Sequence, residues 1–233
     1  MIVTEPQLAC DVTSALFPRN VVTVETNLET VRGVVLPEEA SLVRNCTPRR
    51  QREFFAGRAC AREAMRRLAV PDTPVLKDAR GAPLWPSGIV GSLSHTSRYG
   101  AAAVARVENV DALGLDIERI ADVDESCWPY IYTERELAWL LSQAAHMRRR
   151  LAALLFSAKE CFYKCQYALT QQWLEYRDVA IVVDLARNTF QPQPSVEVAV
   201  PSETVFLGRY RFHHEHAFTG MTAVQGRRLD LGR

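Results

Sequence analysis

Phe55-Ala56-Gly57-Arg58-Ala59-Cys60 returns in the second half of the chain as Phe156-Ser157-Ala158-Lys159-Glu160-Cys161. A second echo follows in the same order, Leu93-Ser94-His95 with Tyr99 against Phe212-His213-His214 with Phe218. Two matches in one order point to an internal duplication whose halves meet near residues 107 to 112, dividing the chain into 1–109 and 110–233. A ligand is expected in the cleft that two such halves form. Around the first copy, PRRQREFFAGRACAREAMRRLAV spaces Phe54, Phe55, Ala61, Met65 and Leu68 close to three and four apart. That is a helical stripe beside a basic face, closed by Pro71 and Pro74. KDARGAPLWPSG is a turn-rich loop, and IVGSLSH and YGAAAVARV are the arms of an antiparallel hairpin.

The second half repeats this layout. ALGLDIERI is a short strand, and TERELAWLLSQ is an amphipathic helix opened by a capping box of Thr133 and Glu136. RRLAALLFSAKECFYKCQYAL is a longer helix, and VAIVVDL, SVEVAV and the stretch from Val205 to Val224 are strands. The expected fold class is therefore α+β. The 233 residues suit one large domain or two small ones. With 48% apolar and 24% charged residues the composition is globular, which excludes disordered, collagenous and coiled-coil chains.

Twenty-eight basic against 27 acidic residues leave a net charge of +1, so no bulk attraction to nucleic acid is implied and any phosphate must be met by local clusters. The six cysteines form no CxxC pair or disulfide framework and read as reduced, mostly buried thiols. No apolar run is long enough for a membrane span, and MIVTEPQLAC lacks the pattern of a leader, so a cytosolic protein without membrane partners is expected. The C-terminal GRRLDLGR lies past the last strand and is expected to be mobile.

Three groups of residues can carry chemistry. In Gly114-Leu115-Asp116-Ile117-Glu118 a strand turns both carboxylates to one side and Leu115 and Ile117 to the core. Two such charges repel unless a cation joins them, and hard oxygen donors suit Mg²⁺, with Mn²⁺ as an alternative; a bare pair of this kind is also a solvated strand end. Glu160 and Lys164 stand one turn apart on a helix, either a surface ion pair or the border of a cleft. Arg49, Arg50, Arg52, Arg58, Arg62, Lys77 and Arg80 form a cationic set, read as a solvated helix face or as phosphate ligands. His95 closes this group, as a structural histidine or a phosphate contact.

FSAKECFYK resembles the F-(S/C)-x-KE-x-x-(Y/F)-K signature, and GLDIE the G-(I/L)-D-x-E signature, of the 4'-phosphopantetheinyl transferases of the Sfp type. GRACAR, KDARGAPLWP and GSLSHTSRYGAAAVA are similar to further blocks of the enterobactin-synthase and mycobacterial-type branch, and the five run in order from about Arg49 to Trp173. The resemblance implies two similar α+β halves related by a pseudo-twofold axis, with a coenzyme A nucleotide-binding N-terminal half and a metal-binding, catalytic C-terminal half. It also implies a monomeric enzyme that moves the phosphopantetheine arm of coenzyme A to a serine of an acyl or peptidyl carrier protein, releasing 3',5'-ADP.

By the same resemblance Asp116, Glu118 and Glu160, with the carbonyl of Ile117, hold Mg²⁺. Glu160 is the general base, taking the serine proton directly or through a metal-bound water, and Lys164 stabilises or protonates the departing phosphate. Arg50 and Arg58 grip the 3'-phosphate end of coenzyme A, Lys77 and Arg80 lie in its nucleotide loop, Ser94 and His95 contact phosphates, and Trp173 and Leu174 line the pantetheine channel. Cys161 stands where many relatives carry Ala or Ser. Arg148, Arg149 and Arg150 are the candidate docking patch for an acidic carrier protein. His213, His214 and His216 fit no motif of the family; His214 and His216 would share a strand face, exposed or as a zinc half-site. The branch leans to secondary metabolism. Two other readings use the same residues: a non-enzymatic coenzyme A binder, and a metal-dependent coenzyme A phosphohydrolase.

Overall fold

The computed structural model describes residues 12–29 and 35–226; Cys10 and nearly all of the GRRLDLGR tail lie outside them. By its internal contacts the chain divides into two compact units, Met1–Asn109 and Val110–Arg233. The first contains β1 (Val22–Asn27), α1 (Pro37–Ser41), α2 (Pro48–Arg67), a ribbon of β2 (Leu76–Lys77) with β3 (Pro83–Leu84), and the hairpin β4 (Ile89–His95) and β5 (Tyr99–Arg106). Helix α2 begins where a hydroxyl can satisfy an orphan amide: Thr47 Oγ1 accepts Arg50 N at 3.3 Å, with Pro48 in the first turn. Arg49, Arg50 and Arg52 thus lie within the helix's first turns. The helix stops before Pro71 because Ala69 turns left-handed at φ +56°.

The sheet of this unit runs β1-β5-β4, antiparallel throughout. Helix α2 lies on it, burying Cys60, Ala61, Ala64 and Met65 against Val24, Ala102 and Val104. Small residues let the two layers approach closely. A Cβ at Gly100 would stand 2.9 Å from the Cβ of Ala56.

The second unit contains β6 (Ala112–Arg119), α3 (Trp128–Ile131), α4 (Glu134–Ser142), α5 (Ala145–Thr170), β7 (Val179–Asp184), β8 (Thr189–Pro194), β9 (Thr204–His213) and β10 (His216–Gln225). Its sheet runs β6-β10-β9-β8-β7, again antiparallel. The capping box of Thr133 and Glu136 opens α4 as expected. Helix α5 packs Leu151, Leu154, Leu155, Ala158, Cys161, Phe162 and Cys165 into a core that includes Ala112, Met221 and Ala223 of the sheet. Each large aliphatic side chain buried there contributes about 1.5–3 kcal/mol. Helices packed on antiparallel sheets make the fold α+β.

Two details differ from the sequence reading. SVEVAV is not a strand; the strand is Thr189–Pro194, immediately before it. Pro192 and Pro194 are tolerated because the β8–β9 ladder covers only Thr189 and Phe190, so proline costs no pairing on that side. The Val-rich segment is tied down instead by Gln172, which donates to the Glu197 carbonyl at 2.9 Å and accepts from Ala199 N at 3.1 Å, and by Ser195, whose N and Oγ donate to the Asp178 carbonyl. The histidines also move. His213 ends β9 and His216 begins β10, so His214 sits in the tight turn at φ +48°; it shares no strand face with His216, which is only 3% exposed.

Candidate functional site

Glycine at position 114 fixes how closely α5 lies on β6. A Cβ there would stand 2.0 Å from the Cys161 carbonyl oxygen, so only glycine lets the helix settle at this depth. Side chains on a strand alternate, so Asp116 and Glu118 share that helix-covered face with Gly114. The carboxylates therefore point toward α5. Leu115 and Ile117, expected to face the core alone, occupy the opposite face and are buried as well, at 0% and 1% exposure.

Asp116 is buried and has both carboxylate oxygens partnered. Ser157 Oγ donates to Oδ2 at 2.9 Å, and Lys164 Nζ donates to Oδ1 at 2.6 Å and to the Leu115 carbonyl at 3.1 Å. Thr219, directly opposite Asp116 on β10, places Oγ1 2.8 Å from Ser157 Oγ. Lys164 thus crosses to the strand instead of closing an i,i+4 pair with Glu160. Burial works against its ammonium, but Asp116 and Glu160 outweigh that and raise its pKa.

Glu160 instead accepts a hydrogen bond from Tyr176, whose hydroxyl stands 2.6 Å from Oε1. Burial and the nearby Asp116 raise the Glu160 pKa, against the pull of Lys164 and Tyr176. Glu118 is pushed further, to about 8, first by burial and then by Asp116, with Glu160 adding and Lys164 opposing. Three carboxylates thus share one lysine, and their mutual repulsion is a standing demand for more positive charge. That hard-oxygen, anionic set fits a divalent cation such as Mg²⁺. Among the described residues no three His, Cys, Asp or Glu side chains are gathered closely enough to hold a metal ion as they stand.

Behind Glu160 lies a buried ion pair that sequence reasoning did not join. Lys159, fully buried, meets Glu136 Oε2 at 3.0 Å and donates to the carbonyls of Tyr176, at 2.7 Å, and Val179. Burial lowers the Lys159 pKa while Glu136 opposes. Glu136 also accepts from Thr133 N and Ile181 N, both at 2.8 Å, so one carboxylate caps α4, holds β7 and neutralises Lys159.

The cationic residues of the first unit divide in two. Arg50 Nη1 lies against His95 Nε2, and Glu53, which sequence reading overlooked, stands 3.6 Å from Arg50 and 3.7 Å from His95. Ser94 and His95 are consecutive on β4. Arg58, by contrast, is 6% exposed; its Nε donates to the Val75 carbonyl at 2.6 Å, Nη2 to the Leu76 carbonyl at 3.3 Å, and the guanidinium stacks on Phe54. Arg58 therefore anchors the segment that leads to Lys77. Lys77 is exposed, with Nζ 3.5 Å from the Leu42 carbonyl, and Arg80 is exposed on a turn closed by Asp78 and by Gly81 at φ +92°.

Several other expected site residues have different employment. Leu174 is packed in the core of the second unit, which leaves Trp173 as the exposed member of that pair; its Nε1 donates to Glu175 at 3.1 Å. Arg148 donates to the carbonyls of Gln143 and Leu141, satisfying the end of α4, and Arg150 stacks on Phe212. Cys60, Cys161 and Cys165 are buried thiols, while Cys46 and Cys127 are exposed. Among the described residues no helix is long and apolar enough to cross a membrane.

Two family models match the chain on either side of the division. The 4'-phosphopantetheinyl transferase N-terminal domain covers residues 38–105, and the 4'-phosphopantetheinyl transferase superfamily covers residues 112–218. The chain is 38% identical over 163 residues to the 4'-phosphopantetheinyl transferase Svp of Streptomyces mobaraensis, an alignment spanning 68% of this chain and 65% of that protein. It is 36% identical to Npt of Nocardia iowensis, over 72% of this chain and 76% of the relative, and 38% identical to PptT of Mycobacterium tuberculosis, over 64% and 65%. The chain belongs to the 4'-phosphopantetheinyl transferase superfamily. Its alignments span about two thirds of the length of these curated relatives.

Proposed function

We propose that this chain transfers the 4'-phosphopantetheine arm of coenzyme A to a serine hydroxyl of an apo acyl or peptidyl carrier protein. The observation that carries the reading is the meeting of Asp116, Glu118, Glu160 and Lys164 across β6 and α5 of one unit, which family membership alone would not supply. Asp116, Glu118 and Glu160, with the Ile117 carbonyl, would hold Mg²⁺. Bound there, the ion would offset the negative charge of the coenzyme diphosphate.

The chain's own groups meet the remaining needs of the reaction. The serine hydroxyl is a weak nucleophile, and Glu160 takes its proton as the oxygen attacks the phosphorus that bears the pantetheine arm. The new bond joins serine oxygen to that phosphorus. The bond that breaks is the one to the bridging oxygen, which leaves with 3',5'-ADP and the bonding electron pair. Lys164, kept protonated by Asp116 and Glu160, faces the negative charge that develops on the leaving phosphate. In the first unit Arg50, His95 and Ser94, with Lys77 and Arg80, serve the coenzyme A phosphates. Arg58 acts by holding the Val75–Leu76 backbone from which Lys77 projects. Trp173 offers an exposed aromatic face to the pantetheine arm.

Mass spectrometry of an apo carrier protein incubated with coenzyme A, Mg²⁺ and this chain is the direct test. An adduct of one phosphopantetheine on serine is expected. Hydrolysed coenzyme A with no adduct would make the protein a phosphohydrolase, and unchanged coenzyme A would make it a binder.

A further inference from the structure

No motif marks Tyr176, yet several ties converge on it. It opens the short 3-10 turn Tyr176–Asp178 that follows α5. Its ring packs beside Phe156, with centroids 5.7 Å apart, and beside Tyr163, at 5.6 Å. Those residues flank Glu160 at four positions before and three after, the spacing of one helix face. Its carbonyl accepts Lys159 Nζ at 2.7 Å, and Lys159 is itself locked by Glu136. One residue earlier, the Glu175 carbonyl accepts the Tyr163 hydroxyl at 2.8 Å.

Backbone and ring are thus both held, and the hydroxyl has little freedom to do anything but donate to Glu160 Oε1. No described residue donates a hydrogen bond to Glu160 Oε2. We propose that Tyr176 is a positioning residue for Glu160, clamping Oε1 so that Oε2 is the oxygen presented to the reaction. This rests on the reading of Glu160 as the base. A carboxylate on a flexible side chain samples several orientations, and a misplacement of about 1 Å can cost on the order of 100-fold in rate. An aromatic hydroxyl fixed by a buried Lys–Glu pair removes that freedom before substrate arrives.

Tyr176→Phe keeps the ring and removes only the clamp. Turnover of carrier protein would be measured for wild type, Tyr176→Phe, Glu160→Gln and the double variant, with the thermal midpoint and the KM for coenzyme A alongside. The expected result is a kcat lower by on the order of tenfold in Tyr176→Phe, with KM unchanged, only the small drop in midpoint that one lost hydrogen bond gives, and no further kcat loss when the substitution is added to Glu160→Gln. An unchanged kcat in Tyr176→Phe beside an inactive Glu160→Gln overturns the clamp and spares the base. An equal loss in both backgrounds also overturns it, because the hydroxyl would then act without Glu160. A raised KM and lowered midpoint with intact kcat would leave Tyr176 a merely structural residue. Full activity in Glu160→Gln would instead strike at the base assignment itself.

Discussion

The two units are variations on one plan, and they differ where chemistry is placed. Each lays its long helix on an antiparallel sheet whose first strand pairs with the second arm of a hairpin, in the order β1-β5-β4 in one and β6-β10-β9 in the other. Ala56 packs on Gly100 where Ser157 meets Thr219. Gly100 is opposite Thr26, as Thr219 is opposite Asp116. Cys60 and Cys161 likewise occupy matching positions; Cys60 Sγ lies 3.4 Å from the Gly100 carbonyl.

Where the first unit has the Ala56 methyl, the bare backbone of Gly100 and the Thr26 hydroxyl, the second has two hydroxyls and a carboxylate. The first unit does bury an acid, Glu25, but one residue earlier on its strand, where Val12 N and Thr13 N take its two oxygens at 3.2 and 2.8 Å. A register step of one residue turns a carboxylate to the other face of the sheet. The same plan thus yields a scaffold in one unit and a charged site in the other.

Giving the second unit the first unit's residues is the sharpest way to break that contrast. Asp116→Thr, which installs the counterpart Thr26, should lower turnover by roughly 1,000-fold or more while the chain stays folded, as removal of a principal site group does; an active variant would detach the contrast from catalysis. Removing a charge behind the site should cost stability. Lys159→Met leaves Glu136 buried without its cation, and urea denaturation should show a loss of about 3–5 kcal/mol. Less than about 1 kcal/mol would mean that Glu136 does not depend on Lys159.

Ser157→Ala, which copies Ala56, deprives Asp116 Oδ2 of its donor. A stability loss of about 1–2 kcal/mol is expected, with a turnover loss on the order of tenfold, read by denaturation and by a holo-carrier assay. The smallest effect on turnover should come from the first unit. Gly100→Ala must push its new methyl against Ala56, costing about 1–3 kcal/mol in stability with no change in kcat at a temperature where the variant is folded. A specific kcat loss there would show that the scaffold unit takes part in the chemical step.

Much of this contrast can be read along the chain, and what escapes does so for definite reasons. The repeated FAGRAC and FSAKEC place both long helices, and GLDIE places two carboxylates on a strand, because these patterns are local and periodic. The partner of Lys164 is not local: the i,i+4 rule sees Glu160 on the same helix and cannot see Asp116 on a strand 48 residues away. Tyr176 belongs to a turn and has no periodicity to betray it. Arg58 reads as a free cation because sequence does not show that the Val75 and Leu76 carbonyls come to meet it. SVEVAV outscores TFQPQP on β-propensity, yet the ladder goes to the segment that lies beside its neighbours, prolines included.

The contact between Lys164 and Asp116 bears on how the fold tolerates its buried acids. Burying three acids in one place would ordinarily strain a fold until some counter-charge arrived from solution. Here an ammonium tethered to the neighbouring helix stands in as a resident caretaker, so part of the negative charge is met by the chain itself. Any cation that bound there would join or displace a tenant already present.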